Sequence, residues 1–173
     1  MSTKISLRAI EKTDLDFLHR LYNNTAIMNY WFEEAYYSKA KLEENFEKQK
    51  KDSNCRRFIL HTDNEKLGFV ALYNIDFIHR KAEFAIMIDP RQQGKGYAIP
   101  ATNHAKDYAF RTLNLNKLYL IADHENEKAI HIYEKAGFKQ EAVLKDEFFV
   151  NGSYRNIVYM SIFQKEYLKN SSV

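Results

Sequence analysis

The sequence predicts a mixed α/β domain, a mostly antiparallel sheet flanked by helices, on the strength of three features. In mid-chain, "RRFILHT", "LGFVALYNI" and "KAEFAIMID" are β-type segments separated by short turns, which is the pattern of an antiparallel meander. A glycine-bearing loop, a long helical stretch and "KLYLIA" follow as a β-loop-α-β unit. Two long β segments then flank Asn151-Gly152, a dipeptide suited to the type I′ turn of a hairpin. With 173 residues, 45% hydrophobic and 14% aromatic, and only two prolines and five glycines, the chain has enough material for one compact domain over residues 1–173 and none of the composition of a linker.

Each element has a local reason. Alternation in "ISLRAI" proposes the first strand. Thr13 with Asp16 resembles a capping box for a helix carrying Leu15, Leu18, Leu21 and Tyr22 at helical spacing. "NNTAIMNYWFEEAYY" is expected to be an aromatic-rich loop, with Ser38 capping a second helix through Lys51. On that helix Glu44–Lys48 and Glu47–Lys51 sit at i,i+4 spacing, a solvated face. Pro90 stops the third meander strand, and Pro100 fits residues 97–113 as a helix because it falls in the opening turn. Asn126 can cap "EKAIHIYEKA", with Gly137 as the residue after its end. The predicted order is β-α-α-β-β-β-α-β-α-β-β.

Charge and composition exclude several classes. A net charge of +3 with lysine and glutamate interleaved is not a nucleic-acid stripe. No apolar run approaches the ~18 residues of a membrane span, and "MSTKISLRAIEKTDLDF" lacks the apolar core of a secretory signal, so a cytoplasmic location is expected. Cys55 stands alone and cannot form an internal disulfide. His79, His104, His124 and His131 show no spacing suited to zinc, and no metal is expected.

The chemistry-bearing stretch is "DPRQQGKGYA", residues 89–98, which sets Gly94 and Gly96 two apart directly after a strand. Glycines there let backbone N–H groups approach an anion at a helix entrance, where the dipole favours negative charge. A Walker A loop fails, because Asp89 stands where its first glycine belongs and Gly96 where Ser or Thr should follow Lys95. A dinucleotide fingerprint is weak, since Ile99 occupies the third small position and the motif lies mid-chain. A glycine turn without a ligand is the third reading.

The neighbourhood decides among them. Arg91-Gln92-Gln93-Gly94-Lys95-Gly96 resembles the pyrophosphate loop of the GNAT superfamily of acetyl-CoA-dependent N-acetyltransferases. The strand ending "AIMID" before it and "NEKAIHIYEKAGF" after it resemble the same family, and "NYWFEEAY", "HRKAEF" and "EFFVNGSYRN" resemble its bacterial polyamine-acetylating branch. The resemblance implies acetyl transfer from acetyl-CoA to a polyamine such as spermidine or spermine, and a GNAT-type sheet with a splayed strand pair receiving the cofactor. It implies that Ile86, Met87 and Ile88 face the pantetheine arm, that Gln93, Gly94, Lys95, Gly96, Tyr97 and Ala98 hold the pyrophosphate, and that Asn126, Glu127 and Lys128 lie farther along the cofactor. Tyr133 would touch the cofactor and protonate the departing sulfur. A phenol of pKa ~10 giving a proton to a thiolate of pKa ~8.5 is a mildly uphill transfer. For the amine, Glu83 is the leading binding group or water-mediated base, with Met28, Glu33, Glu34 and Asp52 as further acceptor contacts. A packed aromatic at Tyr133 and a solvated carboxylate at Glu83 are the competing structural readings.

The chain departs from that pattern at several positions. Ala71 and Asn74 stand where relatives carry glutamates, and Lys41, Gln49 and Cys55 replace acidic or histidine positions, while Asp52 remains. These losses imply weak or absent activation by a second polyamine. An acetyltransferase acting on a protein N-terminus or another small amine, and a non-catalytic sensor of acetyl-CoA or polyamine, are the alternatives. The resemblance also implies a ring-like homo-oligomer, with a dodecamer as the family form, compatible with the aromatics of residues 30–37.

Overall fold

The computed structural model describes residues 4–170. Seven strands form one sheet in the order β1-β2-β3-β4-β5-β7-β6, antiparallel everywhere except between β4 and β5. In chain order the strands are β1 (Ser6–Ala9), β2 (Arg56–His61), β3 (Lys66–Asp76), β4 (Lys81–Ile88), β5 (Lys117–Asp123), β6 (Lys139–Val150) and β7 (Ser153–Phe163). The helices are α1 (Leu15–Tyr22), α2 (Thr25–Met28), α3 (Lys39–Gln49), α4 (Ala98–Asp107), α5 (Glu127–Lys135) and α6 (Gln164–Asn170). All four predicted strands from the meander to "KLYLIA", and the closing hairpin, are present.

The structure differs from these expectations at five places. The expected loop at residues 23–37 contains α2, which Asn24 caps by accepting from the Ile27 N–H, and a 3-10 turn at Asn29–Trp31. The first helix is not entered through Thr13 and Asp16. Glu11 and Asp14 form the capping box instead, because Asp14 is fully buried and shared by Arg8 and Lys66, whereas Asp16 is an exposed partner of Lys39. Glu44 pairs with Lys48 as expected, but Glu47 reaches Lys50 rather than Lys51, since α3 ends at Gln49. The helix expected over 97–113 changes at Tyr108–Thr112 to a π-helical turn, and α6 was not anticipated.

Strand alternation divides the core between the two faces of the sheet. Val70, Leu72, Ala82, Phe84, Leu118 and Leu120 face α4 and α5, with Ala101, Ala105 and Phe110 supplying the α4 side. Ile59, Phe69, Ala71 and Met87 face α1 and α2, meeting Phe17, Leu18, Leu21 and Ile27. Each large apolar side chain fully buried this way contributes about 1.5–3 kcal/mol. Glu83 and Phe84, neighbours in β4, therefore point to opposite faces.

Candidate active site

The parallel ladder between β4 and β5 is only three residues long: Lys81–Lys117, Ala82–Leu118 and Glu83–Tyr119. Beyond Glu83, β4 continues on β3 as far as Ile88 opposite Gly68, while β5 continues on β7 as far as Asp123 opposite Ile157. The two strands part there, and the edge of β4 from Phe84 to Ile88 that faces β5 has no strand partner among the described residues. Ile86, Met87 and Ile88 lie along this edge. The Met87 side chain is buried toward α1 and α2, so only its backbone is offered to the gap.

The glycine loop sits at the open end of the split. Asp89, 2% exposed, ends β4 and accepts from the Arg91 N–H, the Arg91 guanidinium and Arg20. The Arg91 hydrogen bond outweighs burial and brings the Asp89 carboxyl down to about 2. Gly94 and Gly96 take φ of 77° and 81°, the left-handed region that a side chain disfavours, and a Cβ on either would meet no protein atom within 4 Å. The glycines are thus required by backbone conformation, and the space above them is open. Tyr97 precedes α4 without a side-chain cap, which leaves the first-turn N–H groups of Ala98 onward for an anion. Neither nearby cation is free: Arg91 is held by Asp89, and Lys95 donates to Gln92, which donates to Glu65. Gln93 turns back and donates to the Ile88 carbonyl at 3.3 Å. At this end the groups left for an anion are main-chain amides.

On the same face, α5 brings Tyr133 to the beginning of the split. Asn126 caps α5 by accepting from the Ala129 N–H, with Glu127 and Lys128 exposed in the first turn. Gly137, at φ 94°, ends it. Tyr133 packs edge-on against Phe84 at 6.4 Å between ring centroids and against Phe138 at 6.2 Å. The ring keeps some accessible surface, yet burial pushes the phenol up to about 12, and no hydrogen bond to its hydroxyl occurs among the described residues. It is a protonated donor without an internal acceptor.

The opposite face presents Glu83. Burial pushes its carboxyl up, the Asn74 amide, donating at 3.2 Å, pulls it down, and Glu33 pushes it up again. Tyr73 on β3 and Tyr119 on β5 are its cross-strand neighbours, and Tyr119 stacks on Tyr159 of β7 at 5.1 Å. Beside Tyr73 lies a cavity of about 160 Å³ walled by Tyr22, Trp31, Glu33, Tyr37 and Phe69. Arg57 also lines it, 5.2 Å from the Tyr73 ring, with its Nε buried and unpartnered.

The five acceptor-side residues expected from the sequence do not converge. Glu33 joins the cavity wall and accepts from the Tyr37 hydroxyl. Glu34 is exposed and outside it. Asp52 accepts from the Asn54 N–H in the turn after α3 and does not line the cavity. Met28, at 1% exposed, has its side chain in the core between α2 and the sheet, so a contact there would fall to its backbone. Tyr73, Tyr119 and Tyr159 are not singled out by the sequence, since only strand register brings them beside Glu83; the β patterns of "LGFVALYNI", "KLYLIA" and "YRNIVYMSIF" are the only local signal that carries them. No cluster of three metal-ligating side chains occurs among the described residues.

Comparison with known proteins agrees with this geometry. Residues 4–139 match the acetyltransferase (GNAT) domain. Spermidine N(1)-acetyltransferase of Escherichia coli (strain K12) is 51% identical over 164 residues, covering 95% of this chain and 88% of its own. A crystal structure of spermidine N-acetyltransferase from Vibrio cholerae in complex with CoA and spermine superposes with a TM-score of 0.95 at 47% identity, covering 96% of this chain and 99% of that one. A dodecameric structure of the Vibrio cholerae enzyme in an intermediate state gives 0.88 at 46% identity, covering 99% and 100%. With a family match over most of its length and a sheet that opens beside an uncapped helix entrance, the chain belongs to the GNAT acetyltransferases.

Proposed function

We propose that the protein transfers the acetyl group of acetyl-CoA to a primary amine of a polyamine, with Tyr133 as general acid and Glu83 as the partner of the amine. The observation that carries this reading is the arrangement around the split. Tyr133 lies on one face against Phe84, Glu83 lies on the other, and the parting of β4 and β5 joins the two faces.

The residues fit the cofactor: the open space over Gly94 and Gly96 and the uncapped α4 entrance suit a diphosphate, and the unpaired β4 edge suits an amide-bearing arm. Acetyl-CoA supplies an activated carbonyl and a thiolate leaving group. Glu83 attracts the ammonium form of the acceptor, which gives up one proton to solvent to become the neutral amine that attacks; as the N–C bond forms, the nitrogen's next proton becomes acidic and passes to Glu83, directly or through water. As the C–S bond breaks its electron pair goes to sulfur, and the Tyr133 hydroxyl, protonated at neutral pH, donates to it. Aromatic faces at Tyr73, Tyr119 and Tyr159 suit the remaining cationic groups of the chain.

The relatives' names and the spermine-bound relative support a polyamine over a peptide amine. The test is thiol release from acetyl-CoA with spermidine, spermine, a diamine and a peptide amine side by side. Turnover confined to the polyamines is expected, and turnover confined to the peptide would overturn the reading. Rates should rise hyperbolically with spermine, because Ala71 and Asn74 remove carboxylates from β3. The same reading includes a cytoplasmic location and a homo-oligomer, a dodecamer like that of the relative. Exposed Tyr30, Tyr36, Phe149 and Tyr154 are suited to contacts between copies.

A further inference from the structure

Asn74 occupies an unusual backbone position. Between Tyr73 opposite Glu83 and Asp76 opposite Lys81, β3 advances three residues while β4 advances two, so β3 carries one extra residue in a bulge. Asn74 takes φ 50° within it, a left-handed conformation that asparagine tolerates better than most side chains. In a regular strand the residue after Tyr73 would point away from Glu83. The bulge brings its amide round instead, to donate to Glu83 Oε2 at 3.2 Å, and the same amide acts on the Tyr119 hydroxyl.

We propose that Asn74 is a positioning residue, which fixes the Glu83 carboxylate at the last rung of the β4–β5 ladder so that it is ready for the amine. This inference rests on the acceptor role of Glu83 proposed above and adds what controls it. The other groups bearing on Glu83 are Glu33 from the loop after α2, Tyr119 of β5 and Tyr159 of β7. Glu33 and burial both disfavour its charge, and the Asn74 donor is the one group that favours it. Asparagine at 74 therefore fixes the pH at which this chain begins to work.

The test is the titration of the Glu83 carboxyl carbon by NMR in the full chain, in wild type and in Asn74→Asp and Asn74→Gly. Both substitutions suit a positive φ, so the bulge can persist. The midpoint of Glu83 should rise by about one pH unit in Asn74→Gly and by more in Asn74→Asp. The acid limb of kcat/KM for spermidine should move by the same amount, with the KM for acetyl-CoA steady. An unmoved Glu83 midpoint in Asn74→Asp overturns the inference. A midpoint that moves while the acid limb stays also overturns it, because Asn74 would then not govern the working pH. Absence of polyamine turnover by wild type at any pH would instead defeat the underlying acceptor assignment, and the NMR titration tells that case apart.

Discussion

The two faces of the split sheet are built from different materials. On the α4–α5 face, the anion end is main chain: two glycines at positive φ, an uncapped helix entrance, and neighbouring cations already committed to Asp89 and Gln92. On the α1–α2 face, the proposed acceptor end is side chain: Glu83, Asn74, Tyr73, Tyr119, Tyr159 and Glu33, drawn from four strands and a loop. Backbone recognition suits a ligand part that never changes. Side-chain recognition can be altered residue by residue, and Ala71 and Asn74, which the sequence resemblance leads one to expect as replacements of glutamates, fall on that side. One fold can thus keep its cofactor while its acceptor site varies.

Substitutions on each face can break or sharpen this contrast. The largest effect belongs to Tyr133→Phe, which removes the donor but keeps the ring against Phe84. Steady-state kinetics should show kcat down by ~10²-fold or more, with CoA affinity by calorimetry kept within about twofold. Near-normal kcat would exclude Tyr133 as the acid. Next, Gly96→Ala forces a side chain onto φ 81° and should raise the KM for acetyl-CoA about tenfold. Gly96→Asn, more tolerant of that conformation, should raise it less; equal effects would mean that lost space rather than backbone strain is responsible.

A smaller effect concerns the scaffold of the loop. The Arg91 clamp brings the Asp89 carboxyl down to about 2, from an ordinary aspartate value of 3.8, so its stabilisation is complete above pH ~4 and is lost as pH falls toward 2. Asp89→Asn should cost about 2 kcal/mol in urea unfolding at pH 7 and flatten the acid-side loss of stability between pH 4 and 2. Asp14, also held well below the usual carboxylate range by Arg8 and Lys66 despite its burial, leaves a residual slope. An unchanged slope in Asp89→Asn would show that the Arg91–Asp89 clamp adds nothing. The smallest effect is expected from Lys95→Ala, a change in acetyl-CoA KM of less than about threefold, because the ammonium is tied to Gln92. A tenfold rise would mean that Lys95 leaves Gln92 for the phosphates, and the main-chain account of this face would fail.

The same division explains what was legible in the sequence. Gly94 and Gly96 announce themselves because positive φ at a helix entrance demands glycine within a few residues of chain. Asn126 and Gly137 mark the ends of α5 for the same local reason. The acceptor side depends on register between β3, β4, β5 and β7, segments up to about ninety residues apart, and no local pattern encodes that. Met28 shows the limit in the other direction: within an aromatic-rich stretch that reads as a loop, α2 turns the Met28 side chain into the core. Asp14 could not be told from Asp16 as the capping residue until Arg8 and Lys66 were seen to share it.

The central claim is that the cofactor and the acceptor reach the split from opposite faces. Residue-resolved amide hydrogen exchange, measured with CoA alone and with spermidine alone, tests it most directly. The account predicts that CoA slows exchange at the gap-facing amides of 84–88 and at 94–98, and that spermidine slows it instead at 73–75 and 119–121. Protection of 73–75 and 119–121 by CoA, with 94–98 unaffected, would contradict it.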